Sequence, residues 1–291
     1  MTPMSTALVR FRETNGQGEF RPGLAIGDMV ADISGCFATL AAFLAHHGNG
    51  WDPDLRAPSG APTFRREDVA LGPPVDPGRM IFAVGANYRQ HAEEAGLSVP
   101  KAPVIFFKPY PSLVGPDQPI AIPSVTSQLD YEGEMAVMIG KDATKVLRTD
   151  ASKHVAAVTI VNDTTARDLQ WIELGKNRIV DWFASKALDQ TSPVGPSLAT
   201  VKSIADIHKI RLTTSLNGKL MQDASTELMV YDTWQLIEFI SARTTLRAGD
   251  IIATGTPFGV GGFRDIFLKP GDVIRVELQG VGVLENVVVN A

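Results

Sequence analysis

Two segments of this chain leave little choice of conformation. Met135 to Ile139 and Val155 to Val161 are apolar almost throughout. Runs of this length, bounded by polar or turn residues, read as buried strands rather than helices. The 26 glycines and 19 prolines spread through the 291 residues imply many turns, and a chain rich in turns around short apolar segments is β-rich. Strands do not alternate regularly with long helical patterns, so a parallel sheet with crossover helices is not expected. The spacing predicts strands over Ala7 to Glu13, Met80 to Val84 and Val104 to Lys108, and strands over Phe20 to Ile33 broken by Gly23 and Gly27. It predicts a short helix over Ala38 to His47 stopped by Gly48, and a helix or ordered loop over Tyr88 to Gly96. A hairpin turns at Asn217-Gly218, a pair suited to a type I′ turn. Asp232 or Thr233 caps a helix running to about Arg243, with Leu236, Ile237 and Ile240 on its inner face. Thr191 to Pro196 reads as a rigid loop. Two Gly-Asp turns, at Gly249-Asp250 and Gly271-Asp272, feed strands. A break at Gly72 to Gly78 marks a boundary between a small N-terminal domain, residues 1–72, and a larger one, 73–291.

Charge and cysteine content narrow the chemistry. With 27 basic and 32 acidic residues the net charge is −5, which disfavours nucleic-acid binding. No apolar run approaches the roughly 20 residues of a membrane helix, and Met1 to Arg12 has no apolar stretch of signal-peptide length. A single cysteine, Cys36, rules out an intrachain disulfide and fits a reducing compartment. The expectation is a soluble cytoplasmic protein. Cys36 reads as a buried structural residue, and five scattered histidines with one cysteine make a zinc site of the usual kind improbable. Any bound metal is expected to have carboxylate ligands.

Asp130-Tyr131-Glu132-Gly133-Glu134 leads directly into the first apolar strand. Residues i and i+2 of a strand share a face, so Glu132 and Glu134 project together. Side by side they repel, and a hard divalent cation accepting oxygen from both relieves the conflict. Gly133 between them allows close approach of another group. Asp163 emerges at the end of the second apolar strand. Three such carboxylates suit Mg2+ or Mn2+, with Ca2+ as an alternative. The same residues also fit two solvent-facing glutamates on an edge strand and an aspartate in a turn. His91 and Glu94 lie at i and i+3 if their segment is helical, and a carboxylate beside a histidine makes it a usable general base; an exposed surface pair has the same spacing. Arg167, Asp168 and Gln170 follow Asp163 and can grip a carboxylate or keto oxygen, or be ordinary surface residues. Lys186 is a further candidate. Thr254 to Gly262 is a Gly-rich loop whose hydroxyls and N–H groups can bind oxyanions, but it lacks the Lys-Ser/Thr of a P-loop. No Gly-x-Ser-x-Gly elbow occurs.

In their order the segments GANYRQHAEEAG (85–96), IFFKP (105–109), SLVGPDQPI (112–120), LDYEGEMAVMIGK (129–141), VNDTTARDLQW (161–171), SPVGP (192–196), LNGKLMQ (216–222) and LRAGDIIATGTPFGVG (246–261) resemble the fumarylacetoacetate hydrolase (FAH) family. The resemblance spans about residues 80–289. It implies a mostly β (α+β) fold, an FAH-type mixed β-sandwich roll preceded by a small N-terminal α+β domain, and a homodimer. It implies Glu132, Glu134 and Asp163 as ligands of a divalent metal and His91 with Glu94 as an acid–base dyad. Lys186 is implied as a catalytic residue, and Arg167, Gln170 and Thr256 as holding the substrate's carboxylate and keto groups. Tyr88 and Gly255, in the same motifs, complete the substrate-binding set. Ala187-Leu188 departs from the Ser-Phe common after the lysine, which implies a different wall beside Lys186. The implied reaction is metal-dependent hydrolysis of a C–C bond in a β-diketo acid, an acylpyruvate or a fumarylacetoacetate-like 2-oxo acid, through an enolate. The alternative is an isomerase, tautomerase or decarboxylase of an oxaloacetate- or hydroxydienedioate-like 2-oxo acid at the same site.

Overall fold

The computed structural model describes residues 6–16 and 18–291; the first five residues of the Met1 to Arg12 stretch lie outside it. Most of the strands belong to two sheets. The larger has a path of ten strands. Its inner members are Ala7–Glu13, Ser192–Thr200, Val155–Asn162, Gly133–Ile139, Ile251–Ala253 and Ile81–Gly85, in that spatial order. The smaller has five: Lys219–Ser225, Arg211–Leu216, Val273–Leu278, Gly282–Asn290 and Ile120–Ile122. Pairing is mainly antiparallel, with a parallel step where Ile251–Ala253 meets Ile81–Gly85.

The two apolar runs occupy the middle of the large sheet, paired Glu134 to Val161 and Met135 to Ile160. Every residue of both is buried. Met135, Val137, Val158 and Ile160 pack toward the small sheet, meeting Leu212, Val276 and Leu278, with Leu236, Ile237 and Ile240 of the Thr233–Ser241 helix. Ala136, Met138, Ala157 and Val161 turn the other way, against Leu8, Leu24, Leu44 and Trp51. Burial on both faces is why these strands are continuously apolar instead of alternating. Residues 6–72 supply the strands that extend the large sheet at its Ala7–Glu13 edge, and they share this second core.

Local signals act as their chemistry dictates. Thr39 caps the Leu40–His47 helix and Gly48 ends it. Asp232 forms a capping box with Gln235. Asn217 and Gly218 both take positive φ, 51° and 79°, in the hairpin turn. Three expectations are corrected. Gly23 does not break its strand: it pairs with Val9 inside Arg21–Ile26, and a Cβ there would lie 2.6 Å from the Phe11 ring. Thr191 to Pro196 is not a loop, because Ser192 onward is strand hydrogen-bonded to Val155–Asn162. Cys36 is exposed, since it lies in the turn before the Leu40–His47 helix. No helix among the described residues is long and apolar enough to cross a membrane.

Gly133 is the contact point of the two sheets. A Cβ added there would sit 2.2 Å from Thr214 Oγ1 and 3.0 Å from Val276 Cγ1. Overpacking of this kind costs about 1–3 kcal/mol. Gly133→Ala is expected to lower the urea unfolding midpoint accordingly, whereas Gly35→Ala, where nothing lies within 4 Å of the new methyl, leaves it unchanged. Equal midpoints for the two variants would contradict this packing.

Candidate metal centre and cavity

Adjacent strand ends assemble the site. Gly133 is paired with Asn162, so Glu132 and Glu134 flank the point where Asp163 leaves the neighbouring strand. Backbone bonds lock the arrangement: Asp163 N–H donates to the Glu132 carbonyl at 2.9 Å, and Glu132 N–H to Asn162 Oδ1 at 2.8 Å. Oxygens of Glu132, Glu134 and Asp163 all lie within 4.8 Å of one another, and all three residues are buried. The solvent-facing alternative is thereby excluded.

Cations surround this cluster. Lys186 Nζ is 2.7 Å from Glu132 Oε2 and 2.7 Å from Asp163 Oδ2, and it also donates to the Asp163 carbonyl at 2.9 Å. Its three donors are thus all directed at the ligand residues. Lys108 Nζ lies 2.7 Å from Asp163 Oδ1 and donates to the Lys186 carbonyl at 2.7 Å. Arg167 bonds Asp130 through Nε at 2.8 Å and Glu132 Oε1 through one terminal nitrogen at 2.7 Å. Its other terminal nitrogen is left with a 3.4 Å contact to Gln170 Oε1.

Four buried carboxylates, Asp130, Glu132, Glu134 and Asp163, thus face three cations. Among the described residues Glu134 is the one without a cationic partner, and its carboxylate accepts only the Gly255 N–H, at 2.8 Å. Burial, then repulsion from Asp163 and Glu132, push its pKa well above the carboxylate range. Burial works in the same direction on Glu132, but Lys186 and Arg167 outweigh it and hold that carboxyl below its ordinary value. Burial would lower the Lys186 ammonium, yet Asp163 and Glu132 raise it, while at Lys108 burial prevails and its pKa is lowered. A divalent cation fits this donor set. It would give Glu134 a counter-charge and, with all four acids ionised, would turn a cluster one charge negative into one charge positive, suited to an anionic ligand.

The cluster floors a cavity of about 900 Å³. His91, Glu132, Asp163, Arg167, Gln170, Lys186 and Thr256 all line it, and Glu134, Glu94, Tyr88 and Gly255 do not. Phe106 and Trp182, stacked 4.3 Å apart, form an apolar wall. Tyr88 is buried, and burial together with Glu134 pushes its hydroxyl above the ordinary tyrosine value. Gly255 acts on Glu134 rather than on the cavity. Thr256 Oγ1 donates to the Gly133 carbonyl at 2.9 Å and accepts from Gln222 at 2.8 Å. Asp168 is turned away and accepts from Ser127 N–H at 2.9 Å. Neither Ala187 nor Leu188 reaches the cavity; Leu188 packs beside Ile120, Leu129 and Tyr131, so the expected change of the wall beside Lys186 is not found there.

The dyad is not closed. His91 Nδ1 is 3.9 Å from Glu94 Oε2, beyond hydrogen-bond distance, and is buried without a partner among the described residues. Glu94 instead accepts the Gly259 N–H at 2.9 Å. The Gly-rich loop does bind oxyanions, but they are the protein's own: Gly255 N–H serves Glu134, Gly259 N–H serves Glu94, and Gly261 and Gly262 N–H both serve Asp130 at 2.8 Å. Sequence reasoning assigned no role to Asp130, Lys108, Gln222 or Asn87. The available signal was a lone charge closing an apolar strand, as Lys108 closes Val104–Lys108. Asn87 pins the start of the Arg89–Glu94 helix by donating to the Thr254 carbonyl at 2.7 Å.

The C-terminal domain model of fumarylacetoacetate (FAA) hydrolase matches residues 80–289. The chain belongs to the fumarylacetoacetate hydrolase family. Oxaloacetate tautomerase FAHD2B, a mitochondrial protein of Bos taurus, is 41% identical over 230 residues, covering 78% of this chain and 72% of the relative. Fumarylacetoacetate hydrolase from the psychrophile Exiguobacterium antarcticum superposes with a TM-score of 0.80 at 34% identity, covering 99% of this chain and all of that one. Maleylpyruvate hydrolase from Sphingobium, solved with manganese(II) and pyruvate, gives 0.78 at 29% identity over 98% and 99% of the two chains. These whole-length likenesses extend the match beyond the family model to the N-terminal strands, and members of the family are enzymes, among them hydrolases and tautomerases.

The charge arrangement has a measurable consequence. MgCl2 or MnCl2 at a hundredfold excess over its Kd is expected to stabilise the wild type by about 2.7 kcal/mol. Glu134→Gln, which removes the unmatched acid, is expected to fold at least as stably as the wild type in EDTA and to lose that increment. A full metal-induced rise in Tm in the variant would show that Glu134 is not a ligand.

Proposed function

We propose that this protein is a divalent-cation-dependent enzyme that carries a small 2-oxo acid through its enolate, and that the reaction is keto–enol tautomerisation or isomerisation. The observation that carries the reading is the cluster of three buried acid oxygens at one cavity, which Glu132 and Asp163 line together with Arg167 and His91. Glu132, Glu134 and Asp163 would hold a divalent cation, Mg2+ or Mn2+, which would supply a Lewis acid for the 2-oxo group. The terminal nitrogen of Arg167 that makes only the long 3.4 Å bond to Gln170, with the Gln170 amide, holds the substrate carboxylate. His91 moves the proton between the carbon beside the keto group and its oxygen. Lys186, spent on Glu132 and Asp163, adds positive charge where the enolate develops and keeps both ligands oriented. The Phe106–Trp182 wall keeps water from the reacting carbon.

Tautomerisation requires proton transfer alone, which His91 can perform as it stands. The relationship to an oxaloacetate tautomerase at 41% identity supports this choice. Hydrolysis of an acylpyruvate is the second reading. It additionally requires water activated by His91 with Glu94 drawn in from 3.9 Å, and the likeness to a maleylpyruvate hydrolase supports it. Action in the cytoplasm as a homodimer is part of the proposal.

With MgCl2 present, the enol form of a 2-oxo acid is expected to lose its ultraviolet absorbance faster than in buffer, without release of pyruvate or CO2. Pyruvate formed from an acylpyruvate would decide for hydrolysis. EDTA is expected to abolish the rate, and His91→Ala to lower kcat by about 10²–10⁴-fold. Full activity of Glu132→Ala in EDTA would overturn the proposal.

A further inference from the structure

One charged group in the cavity wall has no counter-ion among the described residues. Glu132, Asp163, Arg167 and Lys186 are matched among themselves. Arg178 lines the same cavity and forms no ion pair with any described residue. It belongs to an exposed hairpin, Trp171–Leu174 against Asn177–Val180. Glu173 stands opposite it across the hairpin. The guanidinium nonetheless lies over the Trp171 ring, 4.2 Å from its centroid.

That stack matters because of where Trp171 sits. It directly follows Gln170, and the hairpin base is tied back by Asp181 N–H donating to the Gln170 carbonyl at 2.8 Å. The guanidinium is therefore carried on the residue next to those that hold the 2-oxo acid head. Stacking fixes its plane and leaves its N–H edges free, which an ammonium could not do. Between this edge and the acid cluster the walls are largely apolar, with Phe106, Trp182, Val104 and Ile179. The volume, about 900 Å³, exceeds what a three-carbon acid needs.

We infer that Arg178 is a specificity-determining residue that reads a second carboxylate, distal to the 2-oxo acid head of the substrate. This rests on the 2-oxo acid reading of the site given above. A monocarboxylate places a methyl or methylene group before Arg178; a dicarboxylate places there an anion that accepts from the free guanidinium edge.

The test is titration calorimetry in MgCl2 with two unreactive probes of similar length, 2-oxoglutarate and 2-oxohexanoate. The wild type is expected to bind 2-oxoglutarate about tenfold more tightly, the scale of one charge-assisted hydrogen bond at a part-exposed site. In Arg178→Gln this preference is expected to collapse toward unity, in Arg178→Lys to persist in part, and in Arg178→Glu to invert. Arg178 is exposed, so these variants fold; far-ultraviolet dichroism and an unchanged Tm check it. A tenfold preference that survives in Arg178→Gln overturns the inference, as does a wild type that binds both probes equally. A wild type that binds neither probe in MgCl2 overturns the 2-oxo acid reading itself and this inference with it.

Discussion

A buried carboxylate without a cation is the constraint around which this molecule is arranged. Ionised Glu134 would add a negative charge that Lys108, Lys186 and Arg167 do not balance, in a place from which water is excluded. The fold holds it there by force of packing. It sits at the mouth of a strand sandwiched between two cores, with neighbours that cannot retreat. Packing thus holds three acid oxygens together against their mutual repulsion, and that oxygen set is the kind a hard divalent ion takes.

The glycine-rich segment after Ile251–Ala253 shows how such a cluster is kept in order. Its N–H groups point at Glu134, Glu94 and Asp130, so one loop indexes an acid from each of three segments. This explains its composition. A Cβ on Gly259 would lie 2.2 Å from the Met221 carbonyl, and one on Gly261 2.0 Å from that of Ile266. Only a chain without side chains approaches closely enough to serve as the donor.

Much of this was legible in the amino acids. Hydrophobic continuity in 135–139 and 155–161 announced strands with no free face, and the acids at their ends followed from the period of two. Asn217-Gly218, Thr39 and Asp232 act locally, so their roles were readable locally. What was hidden depends on partners distant in sequence. Lys108 is an ordinary strand end until Asp163, 55 positions later, is folded onto it. Gly23 looked like a break because nothing nearby announces the Phe11 ring. The loop glycines were read as donors to a ligand, since their real acceptors lie as far away as Asp130. The gap between His91 and Glu94 is invisible to spacing, because the i, i+3 relation holds whether or not the side chains meet.

The hairpin carrying Arg178 differs from everything beneath it. The acid cluster hangs on strands that are immobile because both their faces are filled. Another part of the cavity wall hangs on two short strands that, among the described residues, pair only with each other. Changes in the hairpin disturb no core and no ligand, while changes in the central strands disturb both. Such a division lets one unchanging chemical engine be refitted to new substrates by surface mutation alone, so relatives of equal overall identity can differ in what they act on while sharing how they act.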